Sequence, residues 1–171
     1  MKRYYITGTQ GTGKTTIARE LQRRGFFVAD TDTFPDLCYW RNKATGHKVS
    51  GKTGDRKQWL EAHEWYCDPT KLKQLLDEHA HEVVFIAGIS ENQLEYLDLF
   101  DKIFLLQCRE QTFLRRIDER TDHHFGKDQA EREKILSLYK NFENTLLLRG
   151  AICIHTENPI EVVAENIIES M

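Results

Sequence analysis

Apolar residues follow two spacings along the chain, and these spacings predict its elements. Continuous short runs are typical of parallel strands buried on both faces, whereas apolar residues three or four positions apart indicate helices with one buried side. The runs predict five strands, at Arg3–Thr7, Phe26–Ala29, Val83–Ala87, Lys102–Gln107 and Ala151–Ile154. The helical spacings predict helices at Thr16–Arg24, Arg56–Tyr66, about Thr70–His81, about Glu110–Arg120, about Asp128–Leu148 and Pro159–Glu169. Strands that alternate with helices indicate an α/β protein, a three-layer α/β/α sandwich.

Two stretches carry weaker patterns. From Thr33 to Thr53 the apolar spacing is irregular and glycines and lysines cluster, so we expect a mobile excursion there. After the third strand, Ser90 can cap a helix that carries Leu94, Leu97 and Leu99. Pro69 suits the first turn of the helix that follows it.

Composition narrows the class of protein. The chain has 171 residues, 40% of them hydrophobic, and a net charge of −3. This length fits one domain, and the acidic balance does not indicate nucleic acid or an anionic membrane as a partner. The first residues lack the apolar stretch of a signal peptide, and no segment reaches membrane-spanning length. We therefore expect a cytoplasmic monomer or homodimer with a small-molecule partner.

Residues 8–15 form the chemical centre of the sequence, because they fit the phosphate-loop pattern G-x-x-x-x-G-K-[ST]. Glycines allow close backbone approach to a phosphate chain, and the N-terminus of the following helix favours an anion. The predicted binding residues are Gly8, Thr9, Gln10, Gly11, Thr12, Gly13, Lys14, Thr15 and Thr16. Lys14 can reach the β- and γ-phosphates and the Thr15 hydroxyl can bind Mg²⁺. The cofactors predicted are ATP and Mg²⁺.

Four motifs together resemble the adenylate-kinase-like and shikimate-kinase-like group of phosphate-loop kinases, small bacterial proteins described as AAA-family ATPases among them. The motifs are residues 8–15, Asp30-Thr31-Asp32, residues 87–93 and the run from Arg115 to Lys127. The resemblance implies the P-loop NTPase fold, with a five-stranded parallel sheet of order 2-3-1-4-5. It also implies a single kinase domain over 1–171, with an acceptor-binding insertion at about 33–66 and an arginine-bearing lid at about 116–128.

The same resemblance assigns roles to two pairs of residues. Asp30 would hold Mg²⁺, through water, and Asp32 would position an acceptor hydroxyl and accept its proton. The alternative is that both aspartates only form a turn or a helix cap. Arg116 and Arg120, four residues apart on one helix face, would counter the charge of phosphoryl transfer. Their alternative is an exposed charged face, as we expect for Arg115.

The sequence also departs from these families. No aspartate follows the third strand, which ends at Ala87-Gly88, so the magnesium carboxylate has to come from elsewhere. The glycine triplet and arginine set of shikimate kinase are missing, which disfavours shikimate. The insertion instead carries Arg41 and Arg56 and four aromatic residues that could stack a base or sugar, or belong to the core: Tyr39, Trp40, Trp59 and Trp65.

The first hypothesis for function is an ATP-dependent small-molecule kinase that acts on a nucleoside or a nucleoside monophosphate. The alternative is a nucleotide-binding regulatory protein or slow NTPase without a small-molecule acceptor, which the missing aspartate supports. A kinase of nucleic-acid ends is disfavoured by the acidic net charge.

Overall fold

Strands and helices alternate through most of the chain in the computed structural model. The structure describes residues 2–51, 53–121 and 125–171, and for residues 138–140 it describes the backbone alone. The strands in the described residues are β1 Lys2–Thr7, β2 Phe27–Asp30, β3 Cys38–Asn42, β4 His63–Cys67, β5 Val83–Ala87, β6 Lys102–Gln107 and β7 Ile152–His155. The α-helices are α1 Lys14–Arg23, α2 Arg56–Ala62, α3 Pro69–Glu78, α4 Glu110–Glu119, α5 Gln129–Leu148 and α6 Ile160–Glu169.

Five of the strands form one parallel sheet, in the order β2-β5-β1-β6-β7. When the strands of this sheet alone are counted along the chain, the order reads 2-3-1-4-5. In the central strand, Ile6 pairs with Ala87 on one side and with Phe104 on the other. The phosphate-loop residues that follow β1 therefore stand at the middle of the sheet's carboxyl edge.

Helices cover both faces of this sheet, which confirms the predicted three-layer sandwich. Alternate residues of β1 belong to different cores, because successive side chains of a strand point to opposite faces. Tyr4 and Ile6 pack with residues of α1 and α6, and all are buried. Tyr5, fully buried, packs with residues of α3 and with Leu146 near the end of α5. Asp68 accepts hydrogen bonds that cap α3, and Pro69 occupies its first turn as predicted.

The first correction concerns the segment that was predicted as an irregular excursion, Thr33–Thr53, followed by a helix, Arg56–Tyr66. Arg56–Ala62 is helical, but His63–Cys67 is a strand that pairs antiparallel with Cys38–Asn42. The sequence pattern missed this hairpin because its stability comes from pairing between segments more than twenty residues apart, and such tertiary contacts override local helix spacing. His63 and Trp65, assigned to a helix, therefore belong to β4.

The helix predicted after Ser90 is the second correction. The chain forms two short 3-10 helices instead, Gln93–Glu95 and Leu97–Leu99. The Ser90 hydroxyl does not cap either of them; it donates to the Asn92 side chain at 2.9 Å and bonds the Tyr96 hydroxyl at 2.7 Å. A buried polar network thus replaces a regular helix in this connection.

Gly88 explains why no carboxylate directly follows β5. A Cβ atom at this position would lie 1.8 Å from Oγ1 of Thr31, which follows the neighbouring strand β2. The ends of β2 and β5 are held close there by a hydrogen bond of 2.8 Å from the Thr31 N–H to the Ala87 carbonyl. Position 88 therefore has no room for an aspartate.

We predict that Gly88→Ala destabilises the protein, because overpacking against the buried Thr31 side chain costs about 1–3 kcal/mol. The measurement is the denaturant midpoint of unfolding. The double variant Gly88→Ala with Thr31→Gly removes the clashing atoms and is expected to recover part of the loss. An unchanged midpoint for Gly88→Ala would contradict the close approach of these two strand ends.

Candidate active site

The phosphate loop wraps tightly between the end of β1 and the start of α1. Gly13, with φ of 100°, occupies the position before the first helical residue, Lys14. Gly11 has φ of 83°, and a Cβ atom there would lie 2.6 Å from the Phe113 carbonyl oxygen of α4. The Thr12 hydroxyl donates to the Thr9 carbonyl at 2.8 Å. Both glycines are thus required, by backbone conformation and by the close packing of α4.

Lys14 lies against the loop's own backbone. Its ammonium donates to the carbonyl oxygens of Gly8, at 2.7 Å, and Thr9, at 3.0 Å. Burial lowers the pKa of Lys14 to about 8, although the nearby carboxylates of Asp32 and Asp30 raise it. The positive charge of Arg120 lowers this pKa further, so these four charged groups share one small region.

Asp30 has a carboxylate oxygen available for a metal ion. Its Oδ1 accepts a hydrogen bond from the Asp32 N–H at 3.0 Å. Its Oδ2 is buried without a hydrogen-bond partner among the described residues. Within the same residues no group of three or more His, Cys, Asp or Glu side chains could enclose a metal ion. This donor set fits Mg²⁺, which takes one or two protein oxygens and completes its shell with phosphates and water.

Asp32 is exposed and lines the cleft above the loop. The turn after β2 is formed by Asp30, whose carbonyl oxygen accepts from the Thr33 N–H at 3.1 Å and the Phe34 N–H at 2.8 Å. The side-chain contact that stabilises this turn also comes from Asp30. Asp30 therefore forms the turn after β2, and Asp32 lines the cleft.

Arg116 joins the phosphate loop to the end of β7. Its guanidinium donates to the Thr156 carbonyl at 2.6 Å and to the Thr156 hydroxyl at 3.1 Å. It also approaches the carbonyl oxygens of Gly11, at 3.4 Å, and Thr12, at 3.5 Å. Arg116 belongs to α4 and is half-buried, so its contacts favour a role in holding the loop and the nucleotide side of the cleft. Its role in phosphoryl transfer stays a prediction.

Arg120 follows the last residue of α4 and lines the cleft. Its guanidinium donates to the Phe125 carbonyl, and its own carbonyl oxygen accepts from the Lys127 ammonium at 2.8 Å. Residues 122–124 of the predicted lid lie outside the described residues. Arg120 lines the same cleft as Lys14 and Asp32, and its role in phosphoryl transfer stays a prediction.

The cleft extends to both sides of the phosphate loop and has a volume of about 1070 Å³. Of the predicted loop residues, 10–16 line it, whereas Gly8 and Thr9 lie beneath. The strand order puts the ends of β2 and β5 on one side of the loop and the ends of β6 and β7 on the other. This volume is at the upper end of the ~300–1,000 Å³ that is usual for ligand sites, and the cleft is continuous across the loop.

Several lining residues were not predicted from the sequence. Thr156 and Lys134 line the cleft. Thr156 could have been predicted from its position directly after a strand, whereas the sequence has no signal for Lys134. Glu91, within a motif already noted, accepts from Lys134 at 2.7 Å. Trp40 and Trp65 line the cleft as well, whereas Trp59 is buried.

Comparisons with known proteins agree with this architecture. The model of the AAA domain family matches residues 5–137. Shikimate kinase from Bacteroides thetaiotaomicron is similar at a TM-score of 0.59 and 17% identity, with 99% of this chain and 97% of that chain covered. Deoxyadenosine kinase from M. mycoides with bound dATP gives a TM-score of 0.54 at 14% identity, covering 98% of each chain. Gluconokinase from Sinorhizobium meliloti gives 0.55 at 14% identity, covering 96% of this chain and 87% of that chain.

These similarities show the fold, because all three identities are low. No curated protein matches the sequence. Among the described helices, none combines the length and the apolar character that crossing a bilayer requires.

We predict that Lys14→Ala weakens nucleotide binding by about 10-fold or more, because a charged hydrogen bond to phosphate contributes about 1.5–3 kcal/mol. Isothermal titration with ATP and Mg²⁺ measures the affinity, and circular dichroism checks the fold. Lys57→Ala, an exposed lysine on α2, is the matched control and should bind as the unaltered protein does. Equal affinities for the two variants would contradict the assignment of the loop.

Proposed function

The chain belongs to the AAA domain family, and on this basis we propose that it is an ATP-dependent kinase that phosphorylates a small molecule. The observation that carries the proposal is that Lys14, Asp32 and Arg120 line one cleft, which continues on both sides of the phosphate loop. A nucleotide hydrolase needs a site for one ligand and water. A kinase needs room for donor and acceptor together.

The donor nucleotide is proposed to bind with its triphosphate on residues 8–15. Its base would lie on the side of β6 and β7, where Arg116 and Thr156 line the cleft. Thr15 and Asp30 would hold Mg²⁺, which when bound neutralises charge on the phosphate oxygens. The orphaned Oδ2 of Asp30 supports its part in this site.

The acceptor is proposed to bind on the side of β2 and β5, where Asp32 stands. Its hydroxyl oxygen forms a bond to the γ-phosphorus, and the bond from that phosphorus to the bridging oxygen breaks, which leaves ADP. The hydroxyl proton passes to the Asp32 carboxylate. Lys14 and Arg120 counter the negative charge that spreads over the transferred group.

The acceptor class proposed is a nucleoside or a nucleoside monophosphate. One structural neighbour with nearly full mutual coverage is a deoxyadenosine kinase, which supports this class. The proposal includes a single domain with its acceptor-binding insertion at about 33–66 and its lid at about 116–128, in a cytoplasmic monomer or homodimer.

The second candidate is a nucleotide-binding regulatory protein or slow NTPase. The observation that favours it is Gly88, since the position after β5 has no room for the aspartate that usually binds the metal there. The two candidates differ in one measurable property, because only a kinase releases ADP faster when its acceptor is added.

A coupled assay of ADP release, run across nucleosides, nucleoside monophosphates, sugars and hydroxy acids, tests the proposal. We expect stimulation by one class, with appearance of the phosphorylated product by mass spectrometry. A slow rate that no acceptor changes would support the regulatory alternative and overturn the kinase.

We predict that Asp32→Asn lowers kcat by about 100-fold or more with little change in ATP affinity, because the amide keeps the shape and loses the basicity. Asp36→Asn, on an exposed carboxylate paired with Lys48, is the control and should leave kcat unchanged. If the acceptor atom is instead a phosphate oxygen, already ionised, Asp32→Asn should have a small effect. A parallel drop in ATP affinity and kcat would assign Asp32 to the nucleotide.

We predict that Arg120→Ala lowers kcat far more than it weakens ATP binding, by about 100-fold or roughly 3 kcal/mol, because its charge acts mainly on the transition state. Arg115→Ala tests the neighbouring exposed arginine, whose contact with Glu119 is 3.9 Å long, and should have no effect. Similar rates for both variants would place Arg120 on the solvated face of the helix.

A further inference from the structure

The hairpin of β3 and β4 turns two tryptophans toward the cleft. Trp40 and Trp65 are directly opposite each other in the register, and their ring centroids are 5.6 Å apart. Both are half-buried and line the cleft. The opposite face of the hairpin is polar, since the Arg41 guanidinium lies 3.5 Å above the Tyr66 ring and bonds Glu64. The hairpin therefore presents its aromatic face to the ligand.

The pairing pattern brings these two indoles close together. Hydrogen bonds join the backbone of Asp68 to Leu37 and of Lys43 to Ala62, each across the hairpin. Because the bonded pairs of an antiparallel ladder alternate, Trp40 and Trp65 form a non-hydrogen-bonded pair, in which side chains approach most closely. The two rings thus adjoin, with an angle of 59° between their planes, so a flat ligand that stacks on one ring is flanked by the other.

The hairpin is fixed to the main sheet through the residues that follow β5. The Asn92 side chain accepts from the Cys67 N–H at 3.0 Å and donates to the Cys67 carbonyl at 2.9 Å. The Glu91 N–H donates to the Trp65 carbonyl at 2.9 Å. These contacts hold the tryptophan pair on the β2 and β5 side of the phosphate loop, where Asp32 also stands.

Two further aromatic rings complete this aromatic surface. Phe125, which lines the cleft, has its ring centroid 6.2 Å from that of Trp40. Trp59 supports Trp40 from behind, edge-on at 4.8 Å, and is itself buried. A support of this kind limits the rotamers of Trp40 before any ligand arrives, which lowers the entropic cost of binding.

The charges beside the tryptophans come close to balance. The Lys134 ammonium lies 2.7 Å from Glu91 and 5.7 Å from the Trp40 ring centroid. The same carboxylate is 3.8 Å from Lys43. Asp32 adds a second carboxylate to the cleft, which Lys14 and Arg120 also line. This end of the cleft is therefore distinguished by its aromatic rings and not by an excess of one charge.

From this geometry we infer that the acceptor carries a nucleobase, which stacks on the ring of Trp40 or of Trp65 while the other ring flanks it. This inference rests on the proposed function, and it assigns the base of the acceptor to the aromatic pair. Flat apolar faces on both partners give the stacking, which is tolerant of base identity because every base has a π-face. The sugar hydroxyl then points toward Asp32.

The first test measures ligand binding in the absence of ATP. Quenching of the protein's tryptophan fluorescence reports the binding. The ligands are adenosine, guanosine, cytidine and thymidine, their 5′-monophosphates, and gluconate as a non-aromatic acceptor. At least one nucleoside or nucleoside monophosphate should bind and quench the fluorescence. Binding of gluconate alone would overturn the inference.

The second test uses Trp40→Leu, with Tyr39→Leu from the opposite face of the same strand as its control. We expect Trp40→Leu to weaken nucleoside binding about tenfold or more, the size typical of a lost stacking contact, with ATP affinity unchanged. Isothermal titration measures both ligands. Trp40→Phe retains an aromatic face and should bind better than Trp40→Leu, which covers the case in which the leucine variant fails to fold. Equal losses for the variants at positions 39 and 40 would contradict stacking on Trp40.

Failure of this inference differs from failure of the proposed function. If a sugar alone stimulates ADP release, the proposed kinase activity is supported, and the stacking of an acceptor base on Trp40 or Trp65 is overturned. Nucleoside binding that depends on Trp40, without stimulated ADP release, would support the nucleoside site and overturn the kinase.

Discussion

Close approach of backbone to backbone around the phosphate loop is the constraint on which the rest of the structure depends. At Gly8 a Cβ atom would lie 2.5 Å from the Leu106 carbonyl oxygen, and at Gly11 it would meet α4. β6 and α4 can therefore pack directly against the loop only because these positions are glycines. The strand order then fixes which groups flank it, with Asp30 and Asp32 on one side and Thr156 on the other.

Contacts between distant segments give each side of the cleft its chemistry. On one side, Arg116 of α4 bonds Thr156 after β7 and approaches the loop carbonyls, so its side chain connects three elements. On the other side, Asn92 after β5 bonds β4 and holds the aromatic hairpin. The two halves of the cleft therefore differ in chemistry, as the proposed placement of donor and acceptor requires.

These two kinds of contact explain what could be predicted from the sequence. The five strands of the main sheet and the phosphate loop were confirmed, because apolar runs and a local motif specify them. The hairpin was missed because β3 and β4 are stabilised by each other across more than twenty residues. The partner of Arg116 was missed for the same reason, since Thr156 lies 40 residues away in the sequence. The absence of an aspartate after β5 is visible in the sequence itself, but its steric cause at Thr31 was not predicted.

The most direct test of the central claim is a crystal structure of the protein with Mg²⁺ and a non-hydrolysable ATP analogue. The account predicts that the triphosphate lies on residues 8–15, that the base lies beside Arg116 and Thr156, and that the surface of Trp40 and Trp65 is still open to a second ligand. A nucleotide base stacked on Trp40 and Trp65 would contradict the account, because the acceptor would then have no site of its own.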